Sequence, residues 1–224
     1  MTHFPKRVYN DRHLFPVISA SSSELRGLLA STLAQKVSSA INEMESNPAA
    51  LTHELQLMGG NTFSNLRRRG GVSYRQLLAD AIDQMEISTV SATSISERER
   101  AVVQKIAWLA LEDLDTEAQV ERNEDLLRIS GGELTLESVK NLGALSLPHR
   151  ALAIRSFVLP VMGAVCSKLA GKIARKRGIS SLLYISPADV ARGLVEAASY
   201  VTGPAFSASI PSIAIVCLMR IEQA

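Results

Sequence analysis

Apolar residues recur along the chain at steps of three and four, the spacing of helices that bury one face. Leu25, Leu28, Leu29, Leu33, Val37, Ile41 and Met44 fall on one side of a long helix, capped by Ser23 or a neighbouring serine. Asn47-Pro48 reads as an N-cap followed by proline in the first turn, opening a helix that should stop at Gly59-Gly60. A short helix over residues 62–69 then leads to Gly70-Gly71. Two Gly-Gly pairs therefore bracket one basic turn, and each pair permits backbone conformations that side chains forbid.

Tyr74, Leu77, Leu78, Ala81, Ile82 and Met85 form the next apolar stripe, and a Ser/Thr-rich stretch over 88–94 separates it from the helix beyond. Ser96 and Glu99 have the spacing of a capping box for that helix, with Val102, Val103, Ile106, Leu109 and Ala110 as its buried face and Trp108 at the edge. The acidic residues 112–125 continue as a helix with a weak apolar face, read as a solvated surface that Gly131-Gly132 terminates. Pro148 can start a helix, Pro160 should kink or break it, and Ser186-Pro187 supplies another start. Residues 197–219 carry no charge and are long enough to cross a bilayer. Gly203-Pro204 and Pro211 interrupt that span, so two short helices buried in the protein fit it better than a membrane span.

The pattern predicts an all-α fold, an irregular multi-helix bundle whose apolar C-terminal region is segmented by glycine and proline. Its regions are 1–87, with the Gly-Gly motif; 88–95, a linker; 96–143, acidic and helical; and 144–224, apolar and basic. Together they should form one compact unit. Composition agrees: 46% of residues are hydrophobic but only 4% aromatic, so the core is built from Leu, Ile, Val and Ala.

The net charge of +2 conceals a polarised chain. Acids dominate residues 97–137, and bases dominate 140–192, so the two segments can attract each other or face different partners. Cys166 and Cys217 are too few for a disulfide scaffold, and the N-terminal residues lack the apolar run of a secretory signal. The expectation is a cytoplasmic protein, with peripheral attachment at the inner membrane as a variant of it.

No familiar catalytic constellation is present. His3, His13, His53 and His149 are scattered, the nucleophile elbow and phosphate-loop patterns are absent, and neither a metal nor a cofactor is called for. The sharpest local feature is Gly59, Gly60 and Asn61 followed by Arg67, Arg68, Arg69 and Arg75, where exposed N–H groups and guanidinium groups can hold an anion. The plainer reading is two helix stops with arginines facing water. Lys168, Lys172, Arg175, Lys176 and Arg177 follow an apolar run and make a basic amphipathic end, suited to a partner or an anionic membrane surface. Nucleic acid ranks lower, because no aromatic residues for base stacking accompany the basic cluster.

Glu54-Leu55-Gln56-Leu57-Met58-Gly59-Gly60-Asn61-Thr62, with Arg69-Gly70-Gly71-Val72-Ser73-Tyr74-Arg75-Gln76-Leu77-Leu78-Ala79-Asp80, closely resembles the core signature of the YaaW family of bacterial proteins, grouped with the ubiquinol–cytochrome c chaperones. Gly203-Pro204-Ala205-Phe206 and Ile210-Pro211, through Leu218 and Arg220, resemble that family's closing segment, although Ser207-Ala208-Ser209 replace its usual Arg-Val-Thr. Leu14-Phe15 with Ser22, Glu24 and Leu25 is weakly similar to its N-terminal motif. The resemblance implies a helical protein without enzymatic activity, whose chaperone relatives assist assembly of a membrane respiratory complex. The leading expectation is a non-catalytic, chaperone-like or assembly protein that binds a protein partner. The second is a membrane-active effector or stress protein whose C-terminal region inserts into lipid, and the third is an anion or nucleic-acid binder using Arg67, Arg68 and Arg69.

Overall fold

The computed structural model describes residues 11–34, 47–58, 71–88, 94–112, 114–176 and 206–224, the side chains of 170–176 and 206–207 excepted. Its helices are α1 (Phe15–Ala20), α2 (Ser23–Ala34), α3 (Pro48–Met58), α4 (Tyr74–Gln84), α5 (Ile95–Glu112), α6 (Thr116–Ile129), α7 (Leu136–Val139), α8 (Leu147–Ala153), α9 (Leu159–Lys176) and α10 (Phe206–Glu222). No strand occurs among the described residues, and the fold is all α.

Side chains placed in sequence at the helix starts do the capping. The Asn47 carboxamide oxygen accepts from the N–H groups of Ala49 and Ala50 at 3.1 and 3.2 Å, with Pro48 in the first turn where its missing N–H removes no helical bond. Ser22, Ser73 and Ser146 cap α2, α4 and α8 in the same way. At α5 the capping box is Ser94 with Glu97, not Ser96 with Glu99: the Ser94 hydroxyl accepts from the Glu97 N–H, and the Glu97 carboxylate accepts from the Ser94 N–H at 2.9 Å. Both pairs have the right spacing. Glu99 is unavailable because it falls on the buried stripe with Ile95, Val102, Val103 and Ile106.

The acidic stretch is two helices, not one continuation. Asp115 caps α6 by accepting from Ala118 N–H at 2.9 Å and so separates it from α5. Gly131 and Gly132 end α6 with φ of 65° and 97°, and Gly132 N–H returns to Leu127 O at 2.7 Å. Pro160 does not break its helix. The chain widens into a π-helical turn over Ile154–Val158 and continues without a break into α9, the adjustment that relieves a proline's clash with the preceding turn.

Pro211 likewise lies inside α10 and does not divide it. The lost backbone bond is offset by burial: every residue from Ala208 to Met219 except half-buried Pro211 is buried. Helix α10 is the axis of the bundle, packed against α1, α2, α3, α4, α5, α8 and α9. The described part of the uncharged 197–219 span is therefore core, while 197–205 lie outside the described residues. Leu25, Leu29 and Leu33 of α2 join that core, whereas Leu28 is exposed; α2 is described to Ala34, so Val37, Ile41 and Met44 are not among the described residues. Cys166 and Cys217 are free and buried, and burial pushes both thiols up to about 12, which leaves no reactive thiolate at neutral pH.

Candidate functional site

Two arrangements stand on opposite faces of α5. Glu99 and Trp108 are nine positions apart, which turns one about 180° from the other on a helix. One face is clamped into the protein and the other is open.

The clamped face holds a polar cluster in an apolar core. Glu99 is 1% exposed, yet its carboxylate receives three donors: Arg220 Nε at 2.9 Å, Arg220 Nη2 at 3.1 Å and the Tyr74 hydroxyl at 2.9 Å. Arg220 also donates to His13 O at 2.8 Å, so α10, α5, α4 and the N-terminal loop meet at one point. Burial pushes Glu99 above its ordinary value, with the bonds from Arg220 and Tyr74 pulling it back only in part. Burial, together with the neighbouring Glu99 charge, raises the Tyr74 phenol well above 10. For Arg220 the bonds to Glu99 outweigh burial, and the guanidinium is raised.

Asp11 extends the cluster by accepting from Tyr74 N–H at 2.6 Å, Gln56 Nε2 at 3.2 Å and His13 N–H at 3.1 Å. Val72 N–H donates to Gln56 O at 3.0 Å, which holds Gly71 against the backbone of α3. With Tyr74 wholly buried and Glu99 nearly so, a substrate has no direct approach to these groups. The arrangement is a lock between helices. A dry carboxylate paired this way fixes geometry more than it adds stability.

The open face is a groove of about 850 Å³. Trp108, Leu111 and Glu112 of α5 form one wall; α6 presents Val120, Glu124 and Leu127 on the other; and Leu136, Glu137 and Lys140 close the end. Trp108 is 50% exposed and Val120 55% exposed. These large apolar side chains belong to a helix pair in which α6 fully buries only Leu126.

Hydrogen bonds fix the walls of the groove. Asn123 Oδ1 accepts from Leu136 N–H at 2.9 Å and ties α7 to α6, while Gln104 donates to Lys140 O at 2.6 Å and accepts from Leu142 N–H at 2.7 Å. Arg150 donates to the carbonyls of Leu142, Gly143 and Leu145 at 2.8 to 3.1 Å, holding the turn behind them. The opening is thus a preformed feature of a braced structure.

Of the residues singled out in the sequence, the two whose side chains are described, Arg75 and Lys168, do not line the groove. Gly59, Gly60, Asn61, Arg67, Arg68, Arg69 and Arg177 are outside the described residues; Arg75 is exposed in the first turn of α4; Lys168 is half-buried on α9. Lys172, Arg175 and Lys176 belong to the last turns of α9, and their side chains are not among those described. Sequence reasoning passes over the groove because a charge run reads as solvated surface. The available signal is Trp108, the sole tryptophan, at the edge of a stripe, with Val120 and Leu127 two turns apart on α6.

Three Helicobacter pylori proteins, each designated a UPF0174 protein, are similar to this chain. One is 27% identical over 184 residues, which cover 77% of this chain and 87% of the relative. A second is 25% identical over 180 residues, 77% and 70% of the two chains, and a third is 25% identical over 187 residues, 78% and 88%. The chain is therefore a distant relative of bacterial proteins that carry this designation. No family model matches it, and no solved structure does.

Proposed function

We propose that the protein is a non-catalytic interaction or assembly protein that binds a protein partner through the Trp108 groove. The observation that carries this reading is a half-exposed tryptophan on a braced helix pair, with exposed Val120 across from it. Half-buried aromatic side chains in preformed clefts are the usual energetic centres of protein interfaces. The buried Glu99 cluster supports a non-catalytic role, since its acceptors are taken up by Arg220 and Tyr74.

A chaperone-like role of the YaaW type is the finer form of this proposal. Gln56, Tyr74 and Arg220, all among the residues of that resemblance, gather around Asp11 and Glu99, and Gly71 packs against Gln56, so in this chain they serve the scaffold. A cytoplasmic location, at the inner face of a membrane when the partner is there, belongs to the same proposal. The stretch Leu147–Leu169 is long and apolar enough to cross a bilayer by length and composition, but its described inner face, including Ile154, Phe157, Val158 and Met162, packs in the core. That packing favours the partner-binding reading over lipid insertion.

A tagged protein recovered from its native host should bring down one partner in stoichiometric amount. The Trp108→Ala/Val120→Ser variant, melting within a few degrees of wild type because both positions are exposed, should lose it. Equal capture by the variant, or recovery of nucleic acid alone, would count against the groove.

A further inference from the structure

We infer that the partner element seated in the Trp108 groove is a basic amphipathic helix, an inference that rests on the protein-binding reading above and names its ligand. The walls decide the shape. Val120, Glu124 and Leu127 lie at steps of four and three on one face of α6, opposite Trp108, Leu111 and Glu112 of α5, so the channel runs between two helical ridges. Both walls are α-helices whose backbone groups bond internally, and an extended peptide would find no ladder of donors and acceptors there. A helix brings its own backbone bonds and inserts side chains at i, i+3, i+4 and i+7.

Charge decides the chemistry. Lys140 lies at the end of the groove but is bonded through Nζ to Glu137 at 2.7 Å. Glu112 on one wall and Glu124 on the other are exposed and make no ion pair among the described residues. Each helix wall thus contributes one exposed carboxylate beside its apolar residues, so a seated helix meets negative charge from both walls. A helix with an apolar ridge and lysine or arginine beside it satisfies floor and rims together. The same carboxylates repel an anionic membrane or a nucleic acid.

Helix α6 gives a further reason. It spans 14 residues yet fully buries only Leu126, and helices of that length owe most of their stability to packing. A docked helix supplies the missing cover.

The test uses the full chain and three labelled synthetic peptides of about 15 residues, long enough to form a helix on binding. One places Leu at i, i+3, i+4 and i+7 with Lys elsewhere, the second replaces Lys by Glu, and the third scrambles the first. Fluorescence anisotropy should show the Lys peptide binding at least about tenfold more tightly than either control, with the advantage shrinking in high salt. Trp108→Ala should weaken it by about tenfold or more, and Glu112→Gln/Glu124→Gln should abolish the preference for Lys over Glu. Equal, Trp108-dependent binding of Lys and Glu peptides would overturn the basic class while leaving a helix-binding groove. Failure of every peptide to bind through Trp108 would overturn the inference, and the native-host capture would then judge the broader reading independently. A concentration-dependent dimer in sedimentation, abolished by Trp108→Ala, would assign the groove to a second copy and also overturn it.

Discussion

Replacing Arg220 by Met should destabilise the protein by about 3–5 kcal/mol, a fall in melting temperature on the order of 10 °C. The substitution leaves the Glu99 carboxylate, 1% exposed, without the two guanidinium bonds that hold it. The loss should also depend on pH, with a definite sign. Glu99 is raised above its ordinary 4.5, so the folded protein binds that proton more tightly than the unfolded chain does. Its contribution is fully present below the unfolded value and is lost as pH rises through the raised one. Without Arg220 the groups lowering Glu99 are reduced to Tyr74 and more distant His13, and the raised value climbs further. The gap between wild type and variant should therefore widen from mildly acidic to mildly alkaline pH in urea unfolding. Glu99→Gln/Arg220→Met removes the buried charge yet keeps an acceptor for Tyr74, and should recover most of the loss. A single-variant cost under about 1 kcal/mol at every pH would mean that the pair does not clamp α5 to α10.

Gly71→Ala should be nearly as severe, about 3 kcal/mol, the upper end for overpacking. A Cβ at position 71 would lie 2.5 Å from the Gln56 carbonyl carbon and 2.6 Å from its oxygen. These are backbone atoms of α3, fixed in turn by the Val72 N–H to Gln56 O bond at 3.0 Å, so no side chain can swing aside. Thermal unfolding of the variant measures this directly, and a melting point within a degree or two of wild type would show that the contact is not tight. In contrast, Gly163→Ala on α9 meets no atom within 4 Å and serves as the control.

Gly71 also shows what the sequence can and cannot convey. The Gly-Gly pair announces that a side chain is forbidden, but conformational freedom is the reason it suggests; the structure gives close approach to α3. The Asn47-Pro48 start, the α4 stripe from Tyr74 to Met85 and the Gly131-Gly132 stop are all legible, because they rest on local spacing. Glu99 is misplaced by local reasoning because two serine–glutamate pairs offer the same box. Only the partner more than a hundred residues away, Arg220, determines which glutamate is buried.

Pro211 is overvalued in the same sense. Taken locally, Pro211 interrupts a helix; surrounded by seven other helices, α10 runs through it. The site is the least legible part. A groove forms only when α5, α6 and α7 meet, and the hydrogen bonds of Asn123 and Gln104 that join them have no sequence signature. The basic residues that look like contact surface lie, Arg75 and Lys168 apart, outside the described side chains, whereas the acidic helices converge on the groove.

Helix α5 is locked inward by Glu99 and presents Trp108 outward in an open, acid-flanked groove, and on this arrangement the functional reading rests. As the sole tryptophan, Trp108 reports on it without interference. Steady-state quenching of its fluorescence in the free protein is the most direct measurement. The expected result is red-shifted emission, ready quenching by acrylamide and a caesium-to-iodide quenching ratio above that of free N-acetyltryptophanamide at equal ionic strength, because Glu112 and Glu124 attract the cation. Blue-shifted emission that acrylamide hardly quenches, or a caesium-to-iodide ratio at or below that of the free reference, would contradict it.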